Sequence, residues 1–263
     1  MEMMRAVRLF DDGIRVEQIP VPNPDAGKAL VQVHAAAITR DELTWPEALG
    51  RVLPVTPSHE LSGVVAEVAS DVRDIAAGDE VFALTPFDCD GVAAEYAVVP
   101  AALLAPKPQS LTHEESAALP LPGLSAWQGL FEHGALQEGE RVRVLGATGG
   151  VGHLAVQLAR TQLAAEDESY DLVFDTVGGD ELARAGRSAR RVVSVADEEA
   201  DGATYFIVEP NRAQLVELRR LADAGELKPA IDSVFALEQA NEAFTHLAER
   251  GKRGKVVLRV TND

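Results

Sequence analysis

The chain has 263 residues, 46% hydrophobic and 25% charged, a size and balance suited to one large or two modest globular domains. Its 24 Lys and Arg stand against 42 Asp and Glu, and the net charge of -18 repels phosphate backbones and anionic membrane surfaces, so neither nucleic acid nor membrane is an expected partner. The single cysteine, Cys89, excludes an intrachain disulfide framework and a multi-thiolate zinc lobe. With no signal pattern at Met1-Glu2-Met3-Met4-Arg5 and no apolar run of membrane-spanning length, the expected setting is the reducing cytoplasm.

In chain order, the first hundred residues alternate short strand patterns with turn residues. Strands are predicted at Ala6–Leu9, Ala29–Ala36, Gly63–Val68, Glu80–Ala83 and Ala93–Val99, with turns at Asp11-Asp12-Gly13, Pro22-Asn23-Pro24-Asp25 and Ala77-Gly78-Asp79. This spacing predicts a barrel-like or strongly bent β domain. After Pro108 the pattern turns helical: Ser110 is the expected N-cap of a helix reaching Ala118, with Glu114 and Glu115 in its early turns, and Gly123–Phe131 is a second helix. Strand Arg141–Leu145, helix Val151–Leu163, strand Asp171–Asp175 and strand Arg191–Val195 then alternate as a parallel sheet with helices on its faces requires. Helix Leu237–Glu249, a turn at Gly251–Gly254 and strand Lys255–Val260 close the chain.

Between the strand Arg141–Leu145 and its helix lies Gly146-Ala147-Thr148-Gly149-Gly150-Val151-Gly152. Glycines in a strand-to-helix turn let the backbone turn tightly and approach a pyrophosphate, while the helix N-terminus presents unpaired N–H groups to it. The strict pattern is Ala-x-Gly-x-x-Gly, and no Lys-Ser or Lys-Thr follows, which excludes a P-loop. The other reading of these residues is a glycine-rich turn that holds no ligand.

With its flanks, the loop resembles the zinc-independent, zeta-crystallin-like quinone oxidoreductase branch of the medium-chain dehydrogenase/reductases. The resemblance runs over nearly the whole chain, through Ser58-His59-Glu60-Leu61-Ser62-Gly63-Val64-Val65, Ala77-Gly78-Asp79-Glu80-Val81, Gly123-Leu124-Ser125-Ala126-Trp127, Asp175-Thr176-Val177-Gly178-Gly179 and Gly254-Lys255-Val256-Val257-Leu258. It implies an α/β plus β fold: a GroES-like β-barrel domain over 1–120, an inserted, shortened Rossmann-type parallel sheet over 121–234, and a C-terminal segment, 235–263, that returns to the first domain. It implies cofactor contacts at Gly146, Ala147, Thr148, Gly149, Gly150, Val151, Gly152, Thr176, Val177, Gly178 and Phe206. Thr39 and Ser125 become the candidate catalytic groups facing the nicotinamide, and Trp45 a candidate lining of the substrate cleft. Relatives with alcohol dehydrogenase activity bind zinc through a Cys, a His-Glu pair and a later Cys or Asp; His59-Glu60 is kept here, but Thr39–Glu42 holds no cysteine, so no metal is expected. His34, His113, His133, His153 and His246 stand at no metal-ligand spacing, and Tyr96, Tyr170 and Tyr205 do not match a tyrosine proton donor of related thioester reductases.

One part of the family pattern is missing. Helix Val151–Leu163 is followed by Ala164-Ala165-Glu166-Asp167-Glu168-Ser169-Tyr170 and then at once by the strand before Thr176, which leaves no room for the second and third strands. In the strand order 3-2-1-4-5-6 those two form one flank, so their loss leaves 1-4-5-6 contiguous and removes the wall that holds the adenosine. The expected activity is hydride transfer from NADPH, or NADH, to a quinone, enone or similar activated carbonyl or alkene. A non-catalytic binding or scaffold relative and an enoyl-thioester reductase stand as alternatives. A small-molecule substrate and a homodimer paired through a strand at Tyr205–Val208 complete the reading.

Overall fold

The computed structural model describes residues 2–45, 50–160, 169–249 and 251–261. Strands β1 (Met3–Phe10) and β2 (Gly13–Pro20) form an antiparallel hairpin. The predicted strands include β1 but omit β2, although Ile14 and Val16 alternate there with Arg15 and Glu17 and pack on the core. β3 (Lys28–Ile38), β4 (Glu60–Val68), β5 (Glu80–Leu84), β6 (Tyr96–Pro100) and β7 (Ala105–Pro106) follow. β3 is their hub. One of its edges is covered by β4, and β6 pairs with its first half, residues 28–32.

Helix α1 (His113–Ala117) begins later than expected. Thr112, not Ser110, is its N-cap: the Thr112 hydroxyl accepts from Glu115 N and the Glu115 carboxylate from Thr112 N, a reciprocal capping box that only Thr112 has a Glu three residues on to complete. Ser110 instead donates its hydroxyl to Ala222 O at 3.1 Å. α2 (Pro120–Trp127) runs on into a π-helical turn, Gln128–His133. β8 (Val142–Leu145), α3 (Gly152–Ala159), β9 (Tyr170–Asp175), α4 (Gly179–Gly186), β10 (Ala189–Ser194) and β11 (Thr204–Tyr205) form a parallel sheet in the order β11-β10-β9-β8. This is the 1-4-5-6 arrangement left when strands 2 and 3 are removed. Residues 161–163 of the expected first helix, with 164–168, lie outside the described residues. α5 (Arg212–Asp223), capped by the Asn211 side chain, buries Leu215, Leu218 and Leu221 against α2 and the sheet.

β12 (Ile231–Ala236) and β13 (Lys255–Arg259), joined through a 3-10 turn and α6 (Ala240–Ala248), return to the first sheet. β13 takes the second half of the β3 edge, residues 35–38, beside β6, so one strand carries two neighbours on one side and the sheet bends around it. The C-terminal segment thus completes the GroES-like sheet. Two main cores result: Val31, Val33, Ile38, Leu61, Val65 and Leu258 inside the bent sheet, and Leu124, Leu130, Leu154, Leu172, Phe174 and Leu218 around the parallel one. Among the described residues no helix is long and apolar enough to cross a membrane.

Candidate active site

The glycine loop is closed against the turn that follows β9. Gly146 has φ +77°, and a Cβ there would overlap Thr176 Oγ1; a Cβ on Gly152 would overlap the Gly146 carbonyl. Thr176 Oγ1 donates to Leu145 O at 2.8 Å, and Gly149 N to Gly146 O at 2.9 Å. The Thr176 turn is itself pinned by the buried Asp175 carboxylate, which accepts from Val177 N (3.1 Å), Gly178 N (3.0 Å) and Ser194 Oγ (2.7 Å). The outer rim of the loop, Ala147 and Thr148, is exposed, and α3 points its N-terminus at it. The predicted residues Gly146–Gly152 and Thr176–Gly178 are therefore brought together.

Phe206 is buried just beyond β11, with its ring stacked on His133 at a centroid distance of 4.2 Å. β11 ends at Tyr205, short of the expected strand Tyr205–Val208, and beyond it Phe206 and Val208 are buried while Ile207 is 64% exposed.

Three residues with no role assigned from the sequence brace the loop. His153, in the first turn of α3, donates from Nδ1 to Gly149 O at 2.8 Å and accepts at Nε2 from Ala230 N at 2.9 Å, a pairing that requires the neutral ring; burial lowers its pKa accordingly. Gly254 N donates to Thr148 O at 3.3 Å. Lys255, the next residue, passes beneath the loop, where a Cβ on Gly150 would meet its Cδ at 3.2 Å.

The far end of Lys255 reaches the first sheet. Its Nζ lies 2.5 Å from Glu60 Oε1 and donates to Thr39 Oγ1 at 2.8 Å. The other Glu60 oxygen accepts from Leu121 N, in the first turn of α2, at 2.9 Å. Ser125 follows Leu121 by four residues, on the same face of α2, and is buried. A second buried carboxylate, Glu42, accepts from Thr39 N at 3.0 Å and Ser58 N at 3.2 Å. Burial pushes Glu42 up to about 8, against the pull of Lys255, and pushes Glu60 upward too, again against Lys255. One ammonium thus serves two buried acids.

His59 flanks this cluster. Its Nδ1 is 3.1 Å from Thr85 Oγ1, and burial, with the nearby Arg51 cation, lowers its pKa to about 4. Trp45 and Phe87 enclose it, with ring centroids 6.3 and 5.2 Å from His59 and 5.2 Å from each other. Trp45, the candidate cleft lining, thus belongs to an aromatic cluster with His59 and Phe87. The donors do not fit a zinc ion: no thiolate is present, Cys89 is exposed beside Asp88, and the ammonium held by Glu60 would oppose a dication. Among the described residues no three His, Cys, Asp or Glu side chains are grouped to hold a metal.

The glycine loop is thus joined by one lysine to a buried acid in the GroES-like sheet. Residues 25–109 match the alcohol dehydrogenase GroES-like domain and residues 146–258 the zinc-binding dehydrogenase family. The chain belongs to the medium-chain dehydrogenase/reductase family, and its homologues are quinone and enone oxidoreductases of the zeta-crystallin-like kind. It is 31% identical to the probable zinc-binding oxidoreductase, mitochondrial, of Arthroderma benhamiae, over 94% of this chain and 92% of that protein. The alignment occupies 307 positions, more than the 263 residues present here, so that relative has internal segments this chain lacks. The NADPH-dependent alkenal/one oxidoreductase, chloroplastic, of Arabidopsis thaliana is 29% identical over 94% of this chain and 76% of its own length. The quinone oxidoreductase structure from Coxiella burnetii superposes with a TM-score of 0.91 at 25% identity, covering 99% of this chain and 100% of that one.

Proposed function

We propose that the protein reduces a quinone, enone or similar activated carbonyl or alkene with a hydride from NAD(P)H, without zinc. One observation carries this reading: Lys255 spans from beneath the glycine loop to Thr39 and Glu60, so the phosphate cradle and the candidate substrate-polarising group are held one side chain apart. Bound at the loop, a reduced nicotinamide nucleotide supplies the hydride; NADPH, named for the Arabidopsis relative, is the donor to assay first. Thr39 supplies the hydrogen bond. Lys255 holds its oxygen at 2.8 Å, while its hydroxyl hydrogen is only loosely directed to Glu60 at 3.4 Å and is free to turn to a substrate oxygen. The aromatic wall of Trp45 and Phe87 suits a flat, apolar, conjugated substrate and excludes water. In this reading a second copy pairs at the β11 edge to make a homodimer.

The test is NADPH oxidation against a panel of quinones and enones, with and without a chelator. Turnover that survives the chelator, and falls at least tenfold in Thr39→Val with KM raised less than kcat is lowered, is the expected outcome. No turnover and no binding of any nicotinamide nucleotide to the folded protein would leave the second reading, a scaffold relative, which is favoured by β8 being the last strand of its sheet among the described residues.

A further inference from the structure

The cradle is complete where a nicotinamide-side phosphate would sit and ends abruptly beside it. Among the described residues β8 is the last strand of its sheet, with no neighbour beyond it. Arg160 and Ser169 are separated by the eight residues 161–168, fewer than the dozen or more that a parallel strand needs for its crossover alone. The wall that a second strand would raise against an adenosine is absent by length of chain.

The turns that leave β9 and β10 carry Asp180, Glu181, Asp197, Glu198, Glu199 and Asp201, on the side of β8 away from the missing strands, and Glu181 lies 3.8 Å from Arg143 of β8. Val177, at the tip of the β9 turn, is 55% exposed, and Ala147 and Thr148 on the loop rim are exposed with it. Against this, the loop itself is over-determined by Thr176, His153, Gly254 and Lys255.

We infer that this chain has a mononucleotide site: it binds the nicotinamide ribose phosphate half of its donor through the glycine loop and draws no affinity from the adenosine half. The inference rests on the function proposed above and narrows its cofactor class. Reduced nicotinamide mononucleotide, NADH and NADPH then bind with affinities within about tenfold of one another.

Calorimetric titration of the full chain with reduced nicotinamide mononucleotide, NADH and NADPH, each also in the presence of millimolar adenosine 2′,5′-bisphosphate, tests it. Similar dissociation constants, unmoved by the bisphosphate, are expected. A Thr148→Asp variant, which puts a carboxylate on the exposed rim of the cradle, should weaken all three donors by a similar factor. NADPH or NADH binding more than tenfold tighter than the mononucleotide, or displacement by the bisphosphate, would overturn the inference and leave the proposed reductase standing. Failure of all three to bind protein with an intact circular dichroism spectrum would overturn both.

Discussion

The Lys255 ammonium lies 2.5 Å from the Glu60 carboxylate, with both side chains buried, and the pair joins the last strand of the chain to the GroES-like sheet directly beneath the phosphate cradle. Glu60 is further held by Leu121 N, so three distant segments meet on one carboxylate. Lys255→Met should therefore destabilise the protein by about 3–5 kcal/mol in urea unfolding, because it leaves the buried Glu60 without its cation. The double variant Lys255→Met/Glu60→Gln should recover part of that loss. Equal and additive effects of the two substitutions would show that the pair is not coupled.

Glu42 predicts the alkaline side of the stability profile. Its folded pKa, about 8, lies above the ordinary carboxyl value of 4.5, so its contribution is full below 4.5 and is lost as pH rises through 8. Unfolding free energy should fall between pH 6.5 and 8.5 with a slope of up to about 1.4 kcal/mol per unit, because below pH 6.5 the opposite contribution of His59 offsets it. Glu42→Gln should flatten that slope. A wild-type profile that is flat over this range would mean the carboxyl is ionised in the fold.

The acid side belongs to His59. Its pKa is depressed from 6.5 to about 4, so its contribution is full above 6.5 and is lost as pH falls through 4. His153, lowered by its own burial, acts in the same direction. Thermal midpoints should drop between pH 6.5 and 4, and His59→Gln should drop less, as measured by calorimetry.

The glycines of the cradle should rank by the space around them. A Cβ on Gly152 collides with the Gly146 backbone, whereas one on Gly149 meets Gly146 O at 3.3 Å and needs only a small shift. Gly152→Ala should lose at least tenfold in nicotinamide-nucleotide affinity and lower the melting temperature, and Gly149→Ala should do markedly less of both. The reverse ranking would sink this reading of the loop.

Removing the His153 brace should loosen the loop without touching a bound phosphate. His153→Ala strands the Ala230 N–H and one acceptor of Gly149, at about 1–3 kcal/mol in stability. His153→Gln, which retains a donor and an acceptor, should restore part of it. Hydrogen exchange at Ala230 gives the direct measurement: unchanged protection in the alanine variant would count against the brace.

Features that depend on neighbours along the chain are legible in the amino-acid sequence alone. The strand, glycines and helix of 142–159 announce themselves by apolar periodicity and turn chemistry, and the shortage of residues after Arg160 implies the contiguous sheet observed as β11-β10-β9-β8. What pattern cannot show is which distant residue completes a bond. Lys255 reads as part of a terminal strand motif, yet its partner Thr39 lies 216 positions away. Nor does pattern show that the Phe206 ring stacks on His133. Ser110 and Thr112 are both residue types that cap helices, and the choice between them falls to the Glu115 side chain, a signal that is local and so present in the sequence.

The sequence by itself determined that a glycine-rich turn opens a helix and that too few residues follow for two further strands; each is a property of local backbone chemistry or of chain length. Only the tertiary structure decided that the turn is anchored through Lys255 to the buried Glu60 and through His153 to Ala230. Those are consequences of burial and of charge placement in space, which act between segments that share no neighbourhood along the chain.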